Sequence, residues 1–524
     1  LSGMKSEVTT VVRRLVVLGG GSAGWLTAAT LAAELGGSGP DAMQVTLIES
    51  PDVPSIGVGE GTWPTMRATL HRIGLSEVDL VRECDAAFKQ GSRFDGWLHG
   101  GGADDRYYHP FTLPHGPGDT EFAAAWLQGA REQPFAASVG PQAQLCDAHL
   151  APKQTTTPDF GGVMNYGYHF DAVKLGRLLQ RHATTRLGVR HVVDHFTAVR
   201  SRENGDIAAL ATRSHGDIEG DLFIDCSGLA SLLIGQHYGV ALRSERGVLF
   251  NDSALAVQVP HPQAHAPLAS ATIATAHAEG WTWDIGLPTR RGLGFVYSSG
   301  HTDDAAAERA LMAHLDRNGI EPGDMAPRRL RFSPGYREQF WHRNCVAVGL
   351  AAGFIEPLEA SALALVELSA AFIRDEMPAS RSDMDLVAKR FNEAFAYRWS
   401  RVIDFLKLHY VLSRRDDADY WRDHRNAASQ PESLRELLQL WARRAPSRND
   451  FYRVEEVFPA ASYQYVLYGM QFEPALRPLR ADRLAAAQSC MKDVTTLTRR
   501  LLGGLPRHRD LIQHIHAHGM PPAA

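Results

Sequence analysis

The sequence predicts an α/β protein: a parallel-sheet module with a mixed-sheet layer, completed by a helical C-terminal subdomain. Three observations predict it. The apolar run Leu15–Leu18 passes through Gly19, Gly21 and Gly24 into an alanine-rich segment of helical pattern. Apolar runs ending in a glycine turn recur at 221–233 and 344–368. From about residue 386 the pattern is helical, interrupted near Pro431, Pro446, Pro459 and the Pro474/Pro478 region.

Size and composition agree. The chain has 524 residues, 44% hydrophobic and 22% charged, an ordinary globular balance. We divide it into an α/β module over 4–385 and a helical subdomain over 386–524 that caps the ligand-binding face; Leu1–Gly3, ahead of Met4, are set aside as a cloning remnant. A net charge of −5 gives no reason to expect nucleic acid or a membrane surface. No apolar run reaches the roughly 18 residues that span a bilayer, and the mixed, charged first segment does not read as a secretory leader. The five cysteines are scattered and lack CxxC spacing. They argue against a disulfide frame and for a reducing cytoplasm. The 23 histidines include no HExxH, so no metal is expected. The His-rich tail after Pro506 reads as a short exposed helix.

The first element carries the strongest motif. In "RRLVVLGGGSAGWLTAATLAAEL" a buried strand leads to G-x-G-x-x-G and then a helix, and the next strand, "MQVTLIES", ends on Glu49. That is the dinucleotide arrangement. Gly19 makes the turn, Gly21 admits a pyrophosphate and Gly24 lets the helix pack on the strand. The N–H groups around Ser22 and Ala23 face the phosphates, and Glu49 takes the ribose hydroxyls.

Later elements carry chemistry less openly. In "FIEPLEASALALVEL", Pro357 fits the first turn of a helix and Glu359 then lies in that turn, complementing the dipole. The same helix start is an anion site, with free N–H groups near Ser361 and Ala362. Lys89 in "AFKQG" is either a solvated surface lysine or a site residue. His109 and Phe111 flank a proline in "RYYHPFT", where they pack or sandwich a flat ring. In "GWTWDIG", Trp281 and Trp283 share one face of a strand.

Taken in order, "GGGSAGW", "GVGEGTWP" (57–64), "AFKQG", "YYHPF", "FIDCSG", "GWTWDI" and "GLAAGFIEPLEASAL" resemble the flavin-dependent tryptophan halogenases over roughly residues 13 to 470. The resemblance implies a Rossmann-like, aromatic-monooxygenase-like module that binds FAD, used as FADH2 from a separate flavin reductase, with O2 and a halide, chloride or bromide. It adds Gly59, Glu60, Asp225, Gly349, Gly353 and Phe354 to the cofactor contacts. It places the halide at Ser361 and Ala362. It makes Lys89 the residue that holds hypohalous acid, and Glu359 the group that tunes the lysine or takes the ring proton. Trp281 and Trp283 become the wall between flavin and substrate, and His109, Phe111 and Phe458 the substrate contacts. A monomer or homodimer in the cytoplasm is implied.

The sequence departs from the family in three places. Gly286 stands where the tryptophan motif has a proline, which predicts a looser strand end. Glu359 is followed by Ala360-Ser361-Ala362 in place of Ser-Thr-Gly. Phe458 replaces a tryptophan, and Pro446, Ser447 and Arg453 fall where two tyrosines and a glutamate grip free tryptophan. An arginine there repels an ammonium. The expected substrate is therefore an electron-rich, indole-like ring and not free tryptophan. The alternatives are a flavin-dependent aromatic hydroxylase of the same fold and a catalytically inert flavin-binding protein.

Overall fold

The computed structural model describes residues 11–37, 39, 42–53, 59–102, 104–116, 119–129, 131–263, 265–320, 326–453 and 456–523. Leu1–Gly3, Gly57 and Val58 lie outside them.

Leu15, Val16, Val17 and Leu18 are at most 4% exposed, as a central parallel strand covered on both faces requires. Arg14–Leu18 pairs in parallel with Leu222–Asp225 on one side and Gln44–Glu49 on the other. Cys345–Ala347 and Arg190–Val193 extend this six-stranded sheet, and Trp341–His342 closes one edge antiparallel. The four apolar strands that the sequence sets before glycine turns or Glu49 thus lie in one sheet. Helix Ser22–Leu35 packs between Ala172–Arg186 and Ser361–Asp375.

A seven-stranded mixed sheet forms the second layer. Its order is 328–331, 253–260, 290–297, 280–286, 272–277, 91–95, 106–110, and only the contact between 272–277 and 91–95 is parallel. A small antiparallel sheet joins Gly59–Gly61, Gly167–Asp171 and Ala87–Lys89. It brings the middle of the GVGEGTWP segment and Lys89 into one sheet.

The C-terminal part is helical, and Pro431 and Pro459 sit at N-caps, where their fixed φ and missing N–H cost nothing. Residue 386 lies inside the 31-residue helix Arg381–Val411, and one apolar cluster runs from Val12 to Ile515. The tail corrects the expectation of an exposed helix. His508–His518 is helical, but Leu511, Ile512 and Ile515 are at most 2% exposed and dock on helix Glu77–Glu83 and the lysine strand. The spacing of those three residues is that of a helix face, and it outweighs the polarity of the histidines. Among the described residues no helix is long and apolar enough to cross a membrane.

Candidate active site

The cofactor end is built by close backbone approach. Gly19 has φ +123°, and a Cβ there would lie 2.2 Å from the Cys226 carbonyl oxygen; one on Gly24 would lie 1.9 Å from the Gly19 carbonyl oxygen. One on Gly349 would lie 2.8 Å from the Ala23 Cβ. The three glycine turns therefore converge although they are far apart in sequence. A Cβ on Gly21 would meet nothing within 4 Å, and Gly21 is the N-cap of the first helix, so open space faces its first-turn N–H groups. This is the cradle a pyrophosphate needs. Ser22 opens that helix, and Glu49 ends the second strand, its carboxylate against Gly20 and 2.9 Å from His191 Nε2. Gly353 and Phe354 form the short strand beside Gly335 and Tyr336. Gly59 abuts Ile285, and Glu60 is pushed up to about 7 by burial and the neighbouring Asp171. Asp225 is committed internally. Its carboxylate accepts from the Ser227, Leu233 and Ile234 N–H groups and the Ser227 hydroxyl, so it shapes its loop.

Lys89 ends a fully buried strand and is 1% exposed, which rejects the surface reading. Burial pulls its ammonium down to about 8 against the opposing field of Glu359. Its Nζ stands 5.4 Å from the Phe111 ring centroid, and a Cβ on Gly61 would press within 3.1 Å of it. Gly61 thus leaves room for the lysine head. The neighbouring His169 is held neutral, chiefly by burial.

Glu359 corrects the sequence reading. It is not in a helical turn: Glu359 and Ala360 have φ +62° and +54°, and the helix proper begins at Ser361. Two adjacent non-glycine residues in the left-handed region store strain, of order 1–2 kcal/mol each. The carbonyl of Glu359 is held by the Trp63 indole N–H at 2.7 Å. The step from left-handed Ala360 to right-handed Ser361 is the alternation that forms anion-binding concavities. Ser361 is buried and Ala362 exposed.

The Glu359 carboxylate is fully buried and does not ion-pair with Lys89. Oε2 accepts from the Ser92 hydroxyl at 3.1 Å, and Oε1 lies 2.8 Å from His109 Nδ1 and 3.6 Å from His409 Nε2. Burial opposes its ionisation, yet His109, His409 and Lys89 together hold it below the usual carboxylate range. His109 Nε2 lies 2.8 Å from Ser462 Oγ, so both nitrogens are engaged. Sequence reasoning missed Ser92, Trp63, His409 and Ser462. Trp63 stood inside a quoted motif; the others carry no local signal.

The tryptophan strand is buried along its length, with Trp281 and Trp283 side by side at a centroid separation of 6.4 Å. Trp283 lies over Gly294 of the next strand, where a Cβ would sit 2.0 Å from the indole. The expected looseness at Gly286 is absent. Gly286 pairs with Arg291, and the Leu287 N–H donates to the Arg290 carbonyl at 2.9 Å.

Phe458 is 3% exposed, stacked on Phe405 at 3.8 Å, edge-on to Trp63 at 4.8 Å and 6.3 Å from His109. Lys89, Glu359, His109, Phe111 and Phe458 therefore meet in one place. Pro446 is buried with its carbonyl bound by Gln464, Ser447 caps a short turn with Asp450, and Arg453 lies exposed over the Tyr397 ring.

Comparison with known proteins agrees with this geometry. The family model described as tryptophan halogenase matches residues 14–488. Tryptophan 6-halogenase SttH of Streptomyces toxytricini is 33% identical over 505 residues, covering 92% of this chain and 94% of that protein. The crystal structure of a tryptophan halogenase from Shewanella frigidimarina NCIMB 400 matches with a TM-score of 0.95 at 45% identity, over 99% of this chain and 100% of the other. BrvH, a flavin-dependent halogenase from Brevundimonas sp. BAL3, matches with a TM-score of 0.84 at 32% identity, over 96% and 99% of the two chains. These likenesses favour halogenation over the hydroxylase alternative.

Proposed function

Because the chain belongs to the tryptophan halogenase family, we propose that it halogenates an electron-rich aromatic ring through Lys89, with Glu359 as the acceptor of the ring proton. The observation that carries this is a buried lysine head, unpaired with any carboxylate among the described residues, beside a buried glutamate and a set of aromatic rings. Nothing in ordinary folding favours that combination, since an uncompensated buried ammonium is costly.

The cradle at Gly21, the Gly20–Glu49 approach and the convergence of three glycine turns fit FAD, supplied reduced by a separate flavin reductase. When bound, FADH2 with O2 supplies the two-electron oxidation that converts halide to hypohalous acid. The amides at Ser361 and Ala362 hold the halide at the helix start. Trp281 and Trp283 keep the substrate ring apart from the flavin. Lys89 holds hypohalous acid by donating from Nζ to its oxygen, which makes the halogen electrophilic. The ring carbon bonds to the halogen as the halogen–oxygen bond breaks. The oxygen leaves as water with a proton from Lys89, and the ring proton passes to Glu359. Lys89 and Glu359 then exchange a proton, and the balance is arene plus hypohalous acid to haloarene plus water. A carboxylate held ionised both favours the cationic ring intermediate and accepts its proton.

The substrate is an indole-like ring without the free amino-acid group. Pro446, Ser447 and Arg453 offer neither a carboxylate clamp nor a partner for an ammonium. The test is mass spectrometry of products from indole and from tryptophan with a generic flavin reductase, NADH and chloride or bromide. Indole is expected to carry a halogen isotope pattern that Lys89→Ala abolishes. A hydroxylated product independent of halide overturns the mechanism, and equal turnover of tryptophan overturns the substrate reading.

A further inference from the structure

Glu359 has two imidazole neighbours, and the mechanism above uses neither as a working part. His409, on helix Arg381–Val411, is 0% exposed and stacks on Phe94 with centroids 4.6 Å apart. Its Nδ1 lies 2.6 Å from the Tyr107 hydroxyl. Its Nε2 lies 3.6 Å from Glu359 Oε1 and has no hydrogen-bond partner among the described residues. The Tyr107 phenol is pushed well above its ordinary range, first by burial and then by Glu359, so it stays protonated and donates to Nδ1. Burial holds His409 neutral, down to about 3, so the ring carries a single N–H. With Nδ1 accepting, that N–H sits on Nε2 and faces Glu359.

We propose that Tyr107 and His409 are positioning residues: the phenol fixes the imidazole tautomer, and the imidazole N–H keeps Glu359 ionised from behind while the substrate ring engages His109. The proposal rests on the reading of Glu359 as proton acceptor. His109 is the donor exposed to competition, because it lies between the carboxylate, Ser462 and the Phe405–Phe458 stack where a ring would enter. A buried carboxylate that loses its donor takes up a proton and no longer serves as a base. His409 stands behind the same oxygen, and a shift of under an ångström completes its hydrogen bond. The groups facing Glu359 are Lys89 from its strand, Ser92 from 91–95, His109 and, through His409, Tyr107 from 106–110, and His409 from the long helix. Of these His409 alone lies within 4 Å of the carboxylate with a donor that is not already hydrogen-bonded.

The test follows Glu359 in two ways. In flavin-free protein, infrared titration tracks the protonated-carboxyl band that Glu359→Gln removes. In the loaded enzyme, bromination of indole is measured from acidic to mildly basic pH. For His409→Phe, the band is expected at higher pH than in wild type, with about a tenfold loss of rate at the acidic end and little loss at the basic end. Tyr107→Phe moves both in the same direction by less, and His409→Gln, which restores an N–H, recovers part of the loss. These two variants carry the test if His409→Phe does not fold. An unmoved band, or a loss of rate equal at every pH, overturns the proposal while Glu359→Gln remains inactive. An active Glu359→Gln overturns the underlying role of Glu359 instead, and the dyad with it.

Discussion

The nucleotide end and the lysine centre of this molecule are built on opposite plans. The first is a backbone device. Gly19, Gly21 and Gly24 act by what they lack, and their meaning lies within a strand, a turn and a helix that are contiguous in the chain. The second is a side-chain device drawn from six separated segments: Trp63, Lys89 with Ser92, His109, Glu359, His409, and Phe458 with Ser462. A site of the first kind tolerates changes around it as long as space is kept. A site of the second kind depends on every element that holds one of its parts.

Four experiments break or sharpen this contrast. The largest effect is expected from Lys89→Ala, with product formation falling by about a thousandfold or more while flavin binding and the circular dichroism spectrum are kept. Loss of flavin binding in that variant would show that the two ends are not separable. Next, Gly24→Leu drives a side chain into the Gly19 carbonyl. It should abolish flavin retention on gel filtration and lower stability by about 3 kcal/mol in urea. Retained flavin would contradict the backbone reading.

The third uses pH. The native Lys89 titrates near 8, below its unfolded value of 10.5. Between those values the unfolded chain binds the extra proton, so this lysine's contribution to stability rises with pH there; below about 8 its full cost remains. Lys89→Met should therefore be more stable than wild type by about 3 kcal/mol near neutral pH, with the gain fading toward pH 10.5. A gain independent of pH would place the cost in packing and not in charge. The smallest effect is expected from His508→Ala, which leaves the buried Phe88 N–H without its acceptor at 2.9 Å. A loss of about 2 kcal/mol is expected, with a disproportionate fall in kcat, because the next residue is Lys89. Unchanged kcat would mean that the small sheet alone positions the lysine.

The same contrast explains what could be read from sequence. Four of the six strands of the parallel sheet, the glycine turns and the paired tryptophans were legible because each is a short-range pattern of apolar period and glycine spacing. Glu359 was legible as a residue but not as a conformation. Its left-handed backbone is imposed by the turn and by the Trp63 hydrogen bond, partners 296 residues apart. His409 and Ser462 sit in ordinary helical runs, and only the side-chain contacts of those helices with strand 106–110 give them a role. The tail misled for the opposite reason: its histidines suggested solvent, while Leu511, Ile512 and Ile515 set its fate.

That tail has a practical consequence. Its first turn is clasped from several sides: the His508 N–H donates to the His149 carbonyl at 2.8 Å, the Ala151 N–H donates to the Pro506 carbonyl at 3.0 Å, the His508 ring receives the Phe88 amide, and the Arg509 guanidinium donates to the Ala266 and Pro288 carbonyls. A protease cut or a surface-attachment linker that frees this last helix takes Leu511, Ile512 and Ile515 out of the core and unclasps the strand that ends in Lys89. Preparations clipped there are expected to melt earlier and to lose turnover out of proportion to their fold content, so turnover per bound flavin is the gauge of an intact sample.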